Sequence, residues 1–194
     1  MIHRFAVLSI ALALAVPAAA QVGFGYDGPR FLEAVREGDG AKATALADGA
    51  SASVLNHRGK DGDAALHLVT RRGSVNWVGY LLQKGADPDL SGRDGDTPLI
   101  IAARTGFADG ARRLLDRGAR IDKPNRLGET PLIAAVQQRQ PALVRLLLER
   151  GADPKRADYA GHNALDYARR ETRFPELLRL IETVKPTGAA KLNF

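Results

Sequence analysis

The stretch GRDGDTPLIIAARTG at residues 92–106 returns 33 residues later as NRLGETPLIAAVQQR at 125–139. Gly62, Gly95, Gly128 and Gly161 keep the same step, and so do Gly85, Gly118 and Gly151. A fixed period of this length marks a chain built from small stacked units. Within each period one apolar stretch begins at Leu66, Leu99, Leu132 or Leu165. A second ends in Leu81-Leu82, Leu114-Leu115, Leu147-Leu148 or Leu180-Ile181. Apolar positions in both recur three and four apart, which is helical periodicity. Each unit therefore reads as two short antiparallel helices with a glycine-containing turn, and the whole as an all-α solenoid.

Local chemistry marks the boundaries. Thr97 and Thr130 stand where a hydroxyl caps a helix, and Pro98 and Pro131 follow at the first helical position, where a missing N–H costs nothing. Asn163 is placed to cap the last unit in the same way. The glycines of KGAD, RGAR and RGAD fall just past the second helix, where a left-handed residue ends it. A unit this small cannot bury its own apolar face, so stability comes mainly from the interfaces between units. Interior leucines such as Leu115 and Leu148 are expected to carry it.

At these residues the chain resembles the ankyrin-repeat proteins. GDTPLIIAARTGFADGARRLLDRGARID and GETPLIAAVQQRQPALVRLLLERGADPK follow that family's pattern, and GDAALHLVTRRGSVNWVGYLLQKGADPD keeps Leu66-His67 but not the Thr-Pro. The resemblance implies stacked helix-turn-helix units with hairpin-like finger loops over residues 29–183. These divide into an N-terminal cap at 29–58, repeats at 59–91, 92–124 and 125–157, and a C-terminal cap at 158–183. The N-terminal cap's second helix reads as one residue shorter than its counterparts. Two departures stand out. The step from Gly49 to Gly85 is 36, a three-residue insertion within SVLNHRGKDG. The glycine joining the two helices, Gly73 and Gly106, becomes Arg139 and then Thr172. A positive φ suits a β-branched residue poorly, so the turn at Thr172 is expected to change shape, with a fresh helix start after Pro175.

The first twenty residues form a separate object. MIHR is positively charged, FAVLSIALALAV is an apolar run and PAAA precedes Gln21, the order of a secretory signal peptide cleaved after Ala20. An uncleaved membrane anchor is the rival reading, although the run is short for a span of about 20 residues. A flexible leader at 21–28 and a mobile tail at 184–194 complete the division. The expected location is the periplasm or the exterior. Cysteine is absent, which excludes disulfides, thiolate metal sites, a cysteine nucleophile and lipid attachment at the signal.

Nothing in the sequence assembles a catalytic or metal site. His3, His57, His67 and His162 show no ligand spacing, and His67 takes the place of the family's structural histidine. Asp61/Asp63 and Asp94/Asp96 flank a glycine, whereas a calcium loop alternates its acids before one, so turn chemistry explains them better. GFGYDG at 23–28 follows a cleavage site rather than a strand, which removes the dinucleotide reading. No nucleophile has its base. The expectation is no enzyme, no cofactor and no metal. Trp77 and Tyr80 fill the core or face a partner; the column Trp77, Gly110, Leu143, Glu176 is inconstant.

Read in columns, the finger position two before each glycine is Lys60, Arg93, Arg126, Tyr159. The end of each first helix gives Arg36, Arg71, Arg104, Gln137, Arg170, with Arg72 beside it. Equivalent positions in a solenoid form a line, so basic groups lie in two adjacent rows. The resemblance implies that finger tips and concave helix ends bind a partner, here one with an acidic surface. The other reading is a solvated face, since Asp61, Asp63, Asp94, Asp96 and Glu129 share the fingers. A net charge of +6, from 28 basic and 22 acidic residues, is no argument for nucleic acid. The expected function is an exported, monomeric, non-enzymatic module for protein–protein interaction. The alternative is a secreted effector or accessory protein that delivers a ligand or metal to an enzyme. Neutralising Arg71, Arg93, Arg104 and Arg126 together is expected to weaken binding and leave the melting temperature nearly unchanged.

Overall fold

The computed structural model describes residues 27–186. Eleven α-helices and one 3-10 turn lie within these residues, joined by turns and loops, with no strand among them. The first helices of the units are α1 (Asp27–Glu37), α4 (Ala65–Arg71), α6 (Pro98–Thr105), α8 (Pro131–Gln137) and α10 (Ala164–Arg170). Their antiparallel partners are α2 (Gly40–Ala47), α5 (Val75–Gln83), α7 (Ala108–Asp116), α9 (Pro141–Glu149) and α11 (Pro175–Thr183), with α3 (Ala52–Leu55) between the first two units. Each first helix packs on the next, and α5, α7, α9 and α11 stack likewise. The result is an all-α repeat solenoid, as the period requires.

Capping follows the sequence. Thr97 Oγ1 accepts from Ile100 N at 3.2 Å, Thr130 Oγ1 from Ile133 N at 3.2 Å, and Asn163 Oδ1 from Asp166 N at 3.0 Å. Ala64 has no capping side chain, and His67 takes over. Its Nδ1 accepts from Ala64 N–H at 3.2 Å, so the ring proton sits on Nε2 and donates to Leu90 O at 2.9 Å in the next loop. The ring is fully buried. Burial pushes its pKa below the ordinary 6.5, and the nearby Asp63 carboxylate offsets only part of that. The unfolded chain therefore takes up the proton more easily. Stability from the neutral ring is fully present above the ordinary 6.5. It declines by up to about 1.4 kcal/mol per pH unit as pH falls below that value, until the folded pKa is reached. Urea titrations between pH 7 and pH 5 should show a steeper decline in the wild type than in His67→Asn; parallel declines would assign the titration elsewhere.

The core runs along the stack. Leu81, Leu114 and Leu147 are 0% exposed, as are Leu132 and Ile133. Leu148 is buried as expected, but Leu115 is only half-buried. In α7 it is Leu114 that points inward, and the next residue turns about 100° around the helix. Trp77 and Tyr80 are half-buried, edge to face at 5.3 Å, with Trp77 over Gly40 and against the core. In the next unit Phe107 fills the equivalent space. A Cβ at Gly110 would lie 2.1 Å from its ring, which explains the glycine in that column.

The departures are resolved. The insertion contributes α3, whose Leu55 is 1% exposed and closes the core beside α1. The N-terminal cap's second helix has eight residues against nine in α5. The leader expected over 21–28 ends sooner, because α1 begins at Asp27. Gly28 lies under His57, with room for no Cβ, and Pro29 is tolerated in a first turn. The signal segment at 1–20 and the leader up to residue 26 lie outside the described residues. So does the tail from residue 187. The tail's first residue belongs to the fold, since Val184 N donates to Leu180 O at 2.9 Å and the side chain packs on the core.

Arg139 keeps the positive φ of the glycines it replaces, at 55°. Thr172 does not, and α10 instead ends at Arg170 with Glu171 as its C-cap at φ −88°, before Pro175 opens α11. Arg139 also makes contacts its column does not announce. Its Nε donates to Glu171 at 2.7 Å, and its guanidinium lies 5.3 Å from the Phe174 ring centre. Arg139→Gly relieves the backbone and loses these contacts, so its stability should stay within about 0.5 kcal/mol of wild type. Arg139→Ala loses the contacts and keeps the strain, and should cost about 1 kcal/mol in thermal or urea unfolding. Equal costs would show that the φ carries no penalty.

Candidate functional site: finger loops and the arginine row

Each finger is a tight hairpin. Its closing bonds are Gly59 N to Asp63 O at 2.9 Å, Gly92 N to Asp96 O at 2.8 Å, Asn125 N to Glu129 O at 3.1 Å and Asp158 N to His162 O at 2.9 Å. The turn needs a left-handed residue, and Gly62, Gly95, Gly128 and Gly161 supply it with φ from 79° to 87°. Neighbouring fingers are tied to each other. Arg126 N donates to Asp94 O and Tyr159 N to Leu127 O, both at 3.0 Å, and Arg93 N donates to Asp63 Oδ1 at 3.0 Å. The finger tips are thus fixed in a row by hydrogen bonds from their backbone N–H groups, two to backbone carbonyls and one to the Asp63 carboxylate.

The helix-end arginines lie where the columns put them, but their charge is largely answered within the molecule. Arg36 pairs with Asp61 at 3.1 Å and Arg71 with Asp63 at 2.8 Å. Arg104 bridges Asp96 and Glu129. Asn125 completes this cluster, donating to Asp96 Oδ1 and Glu129 Oε2 at 2.9 Å and accepting from Leu127 N and Glu129 N. Burial raises the Asp63 pKa, but the Arg93 N–H and the Arg71 guanidinium outweigh it, and the net shift is downward. Burial also acts against the charge on Arg104, and its two carboxylates more than compensate. Arg72 is a capping group: its guanidinium donates to Val35 O and Arg36 O at the end of α1. Arg170 is exposed on the last unit. Two mostly buried carboxylates depend on Arg104, so its removal is expected to cost more stability than the nearly unchanged melting temperature expected of the row.

The finger row is different. Lys60, Arg93 and Arg126 are exposed and without an ion pair, although Arg93 Nε reaches Asp61 O at 3.5 Å. Tyr159 and Leu127, at 77% and 68%, are the large apolar side chains left exposed among the described residues. Asp61, Asp63, Asp94 and Asp96 do not converge: the first two and the last turn to arginines, and Asp94 sits at the tip with φ 56°. His57 lies against Gly28 and His162 edge-on to Tyr167, in different units.

Two sets of residues escaped the sequence reading. Asn56, Asp89 and Asp122 also keep the 33-residue step. Each accepts the N–H of Asp87, Arg120 or Asp153 in the next unit, at 2.9, 2.9 and 3.2 Å, clamping unit to unit. Burial raises the Asp122 pKa despite the Asp153 N–H. In the last unit Asp158 accepts from Ala160 N, His162 N and, at 2.6 Å, the Tyr167 hydroxyl. No helix among the described residues is long and apolar enough to cross a membrane.

Comparison with known families agrees with this geometry. One family model, ankyrin repeats (3 copies), matches residues 31–125, and a second, ankyrin repeats (many copies), matches residues 114–168. No curated protein matches the chain in sequence. The helix pairs, the tied finger row and the two matches together place this chain in the ankyrin-repeat family.

Proposed function

We propose that the protein is an exported, non-enzymatic ankyrin module that acts as a monomer and binds another protein in the periplasm or outside the cell. The fold belongs to a class of protein–protein interaction modules. The observation that carries the reading is the finger row: Lys60, Arg93, Arg126 and Tyr159 project from a backbone fixed by bonds between fingers. A backbone held this way has little freedom left to lose on binding. Export rests on the charged, apolar and small-residue order of residues 1–20.

The test combines cell fractionation with capture. Protein recovered from the periplasmic fraction should begin at Gln21, and a chain that keeps Met1 would favour the anchor. Immobilised mature chain should retain a partner protein from the same fraction, and exchange of Lys60, Arg93, Arg126 and Tyr159 for alanine should abolish retention. Tight stoichiometric binding of calcium, zinc or a nucleotide in calorimetry, with no protein retained, would replace this reading by the accessory one.

A further inference from the structure

Two grooves flank the fingers and share Pro124. One, about 330 Å3, runs between Arg58, Arg126 and Tyr159; the other, about 470 Å3, between Lys123 and Arg156. Neither is lined by Arg71, Asp63, Arg104, Asp96 or Glu129, and Asn125, which lines the first groove, turns its amide to Asp96 and Glu129. We propose that these grooves form one docking channel for an extended acidic segment of a partner protein. Arg58, Arg126 and Arg156 take its carboxylates, and Tyr159 takes an apolar side chain. The proposal rests on the reading of the protein as an interaction module and assigns the partner's chemistry and the place where it binds.

Charge decides the place. An acidic ligand at the concave helix ends would compete with Asp61, Asp63, Asp96 and Glu129, which already hold Arg36, Arg71 and Arg104. In the channel, Arg58, Arg126 and Arg156 are exposed and make no ion pair. Arg156 feels the Asp122 carboxylate only at a distance. A guanidinium fork matches a carboxylate through two parallel bonds, so these groups favour a ligand with discrete carboxylates. Tyr159, 77% exposed, adds a rigid apolar face, and its backbone is held by Leu127. Tyrosine and arginine are the residues that most often anchor interfaces.

The same surface argues against nucleic acid. Asp122 lines the channel between Lys123 and Arg156, and Asp94 stands at the neighbouring tip. A phosphate backbone of uniform charge must pass both. A peptide can set neutral or basic residues opposite them.

The experiment uses the mature chain and fluorescence anisotropy with three probes: a short labelled peptide alternating glutamate with phenylalanine, its glutamine counterpart, and a short oligothymidylate. The wild type should bind the glutamate peptide at least about tenfold more tightly than either of the others. Arg58→Gln/Arg126→Gln/Arg156→Gln should weaken that binding at least about tenfold and flatten its salt dependence. A control, Arg112→Gln/Arg145→Gln/Arg179→Gln, removes the same charge from exposed positions of α7, α9 and α11 and should stay within about twofold. Tyr159→Ala should weaken both peptides, and Asp94→Asn, which keeps a side chain tolerant of positive φ, should tighten the glutamate peptide. Thermal melts check that each variant is folded.

Absence of glutamate-peptide binding by the wild type overturns the proposal. So does equal loss in the two triple variants, or tighter binding of the oligothymidylate. A partner captured equally by wild type and by the channel variant would sink the channel alone and leave the interaction reading standing. Capture of no protein, with stoichiometric metal or nucleotide binding instead, would remove both.

Discussion

Leu147→Ala should remove about 3–5 kcal/mol of folding free energy, the upper part of the range for buried leucines. Leu147 is 0% exposed on α9, a helix that packs against α7, α8 and α11 at once. The helix is flanked by helices of three units, none of which can move in without breaking its own register. The cost is therefore transfer free energy plus a cavity that does not collapse. Stability in a repeat array is a sum of units and nearest-neighbour interfaces, so the substitution weakens the interfaces on both sides of the unit. Leu115→Ala makes the contrast. That side chain is half-buried, on the edge of the core, and its loss should cost about 1 kcal/mol. Urea unfolding of the two variants beside wild type gives the comparison. Equal costs would mean that the inward column in α7 and α9 has been misassigned.

Much of this fold can be read from spacing, because each unit solves the same packing problem with the same local signals. Thr97, Thr130 and Asn163 cap the helices their positions announce, and the positive φ of Arg139 follows from the glycines in its column. What spacing does not carry is how the finger folds back over the first helix. Asp63 and Arg71, like Asp96 and Arg104, are eight residues apart, and only the closed hairpin brings them together. The Asn56, Asp89 and Asp122 clamps act across 31 residues and become visible only when one unit is set on the next. Arg139 meets Glu171 and Phe174 for a reason hidden from its own column: the last unit has lost the glycine turn, and α10 ends differently. The two rows of basic residues were equally legible as columns. Their unequal availability was not, since it depends on which carboxylates turn inward.

That inequality gives the second large effect. Arg104→Gln should destabilise the protein by about 2–3 kcal/mol and lower its melting temperature by about 4–12 °C. Asp96 and Glu129 are 7% exposed, and both rely on this guanidinium. Removing one member of a buried ionic group costs about 3–5 kcal/mol, because the remaining charges stay desolvated without a counter-ion. Two features reduce the figure here. The Arg104 side chain is 33% exposed, so water reaches the site, and Asn125 still donates to both carboxylates. Arg104→Lys should recover only part of the loss, since an ammonium does not span two carboxylates as a planar fork does. Arg71→Gln should cost less than about 1 kcal/mol, because Arg71 is 46% exposed and Asp63 keeps the Arg93 N–H. The ordering of the three variants in thermal unfolding is the measurement. If Arg71→Gln and Arg104→Gln shift the melting temperature equally and slightly, Arg104 belongs to the solvated surface after all. If the order holds, neutralising Arg71, Arg93, Arg104 and Arg126 together confounds folding with binding, and partner contacts must be probed at Arg126 and Tyr159, where the side chains carry none of the fold's buried charge.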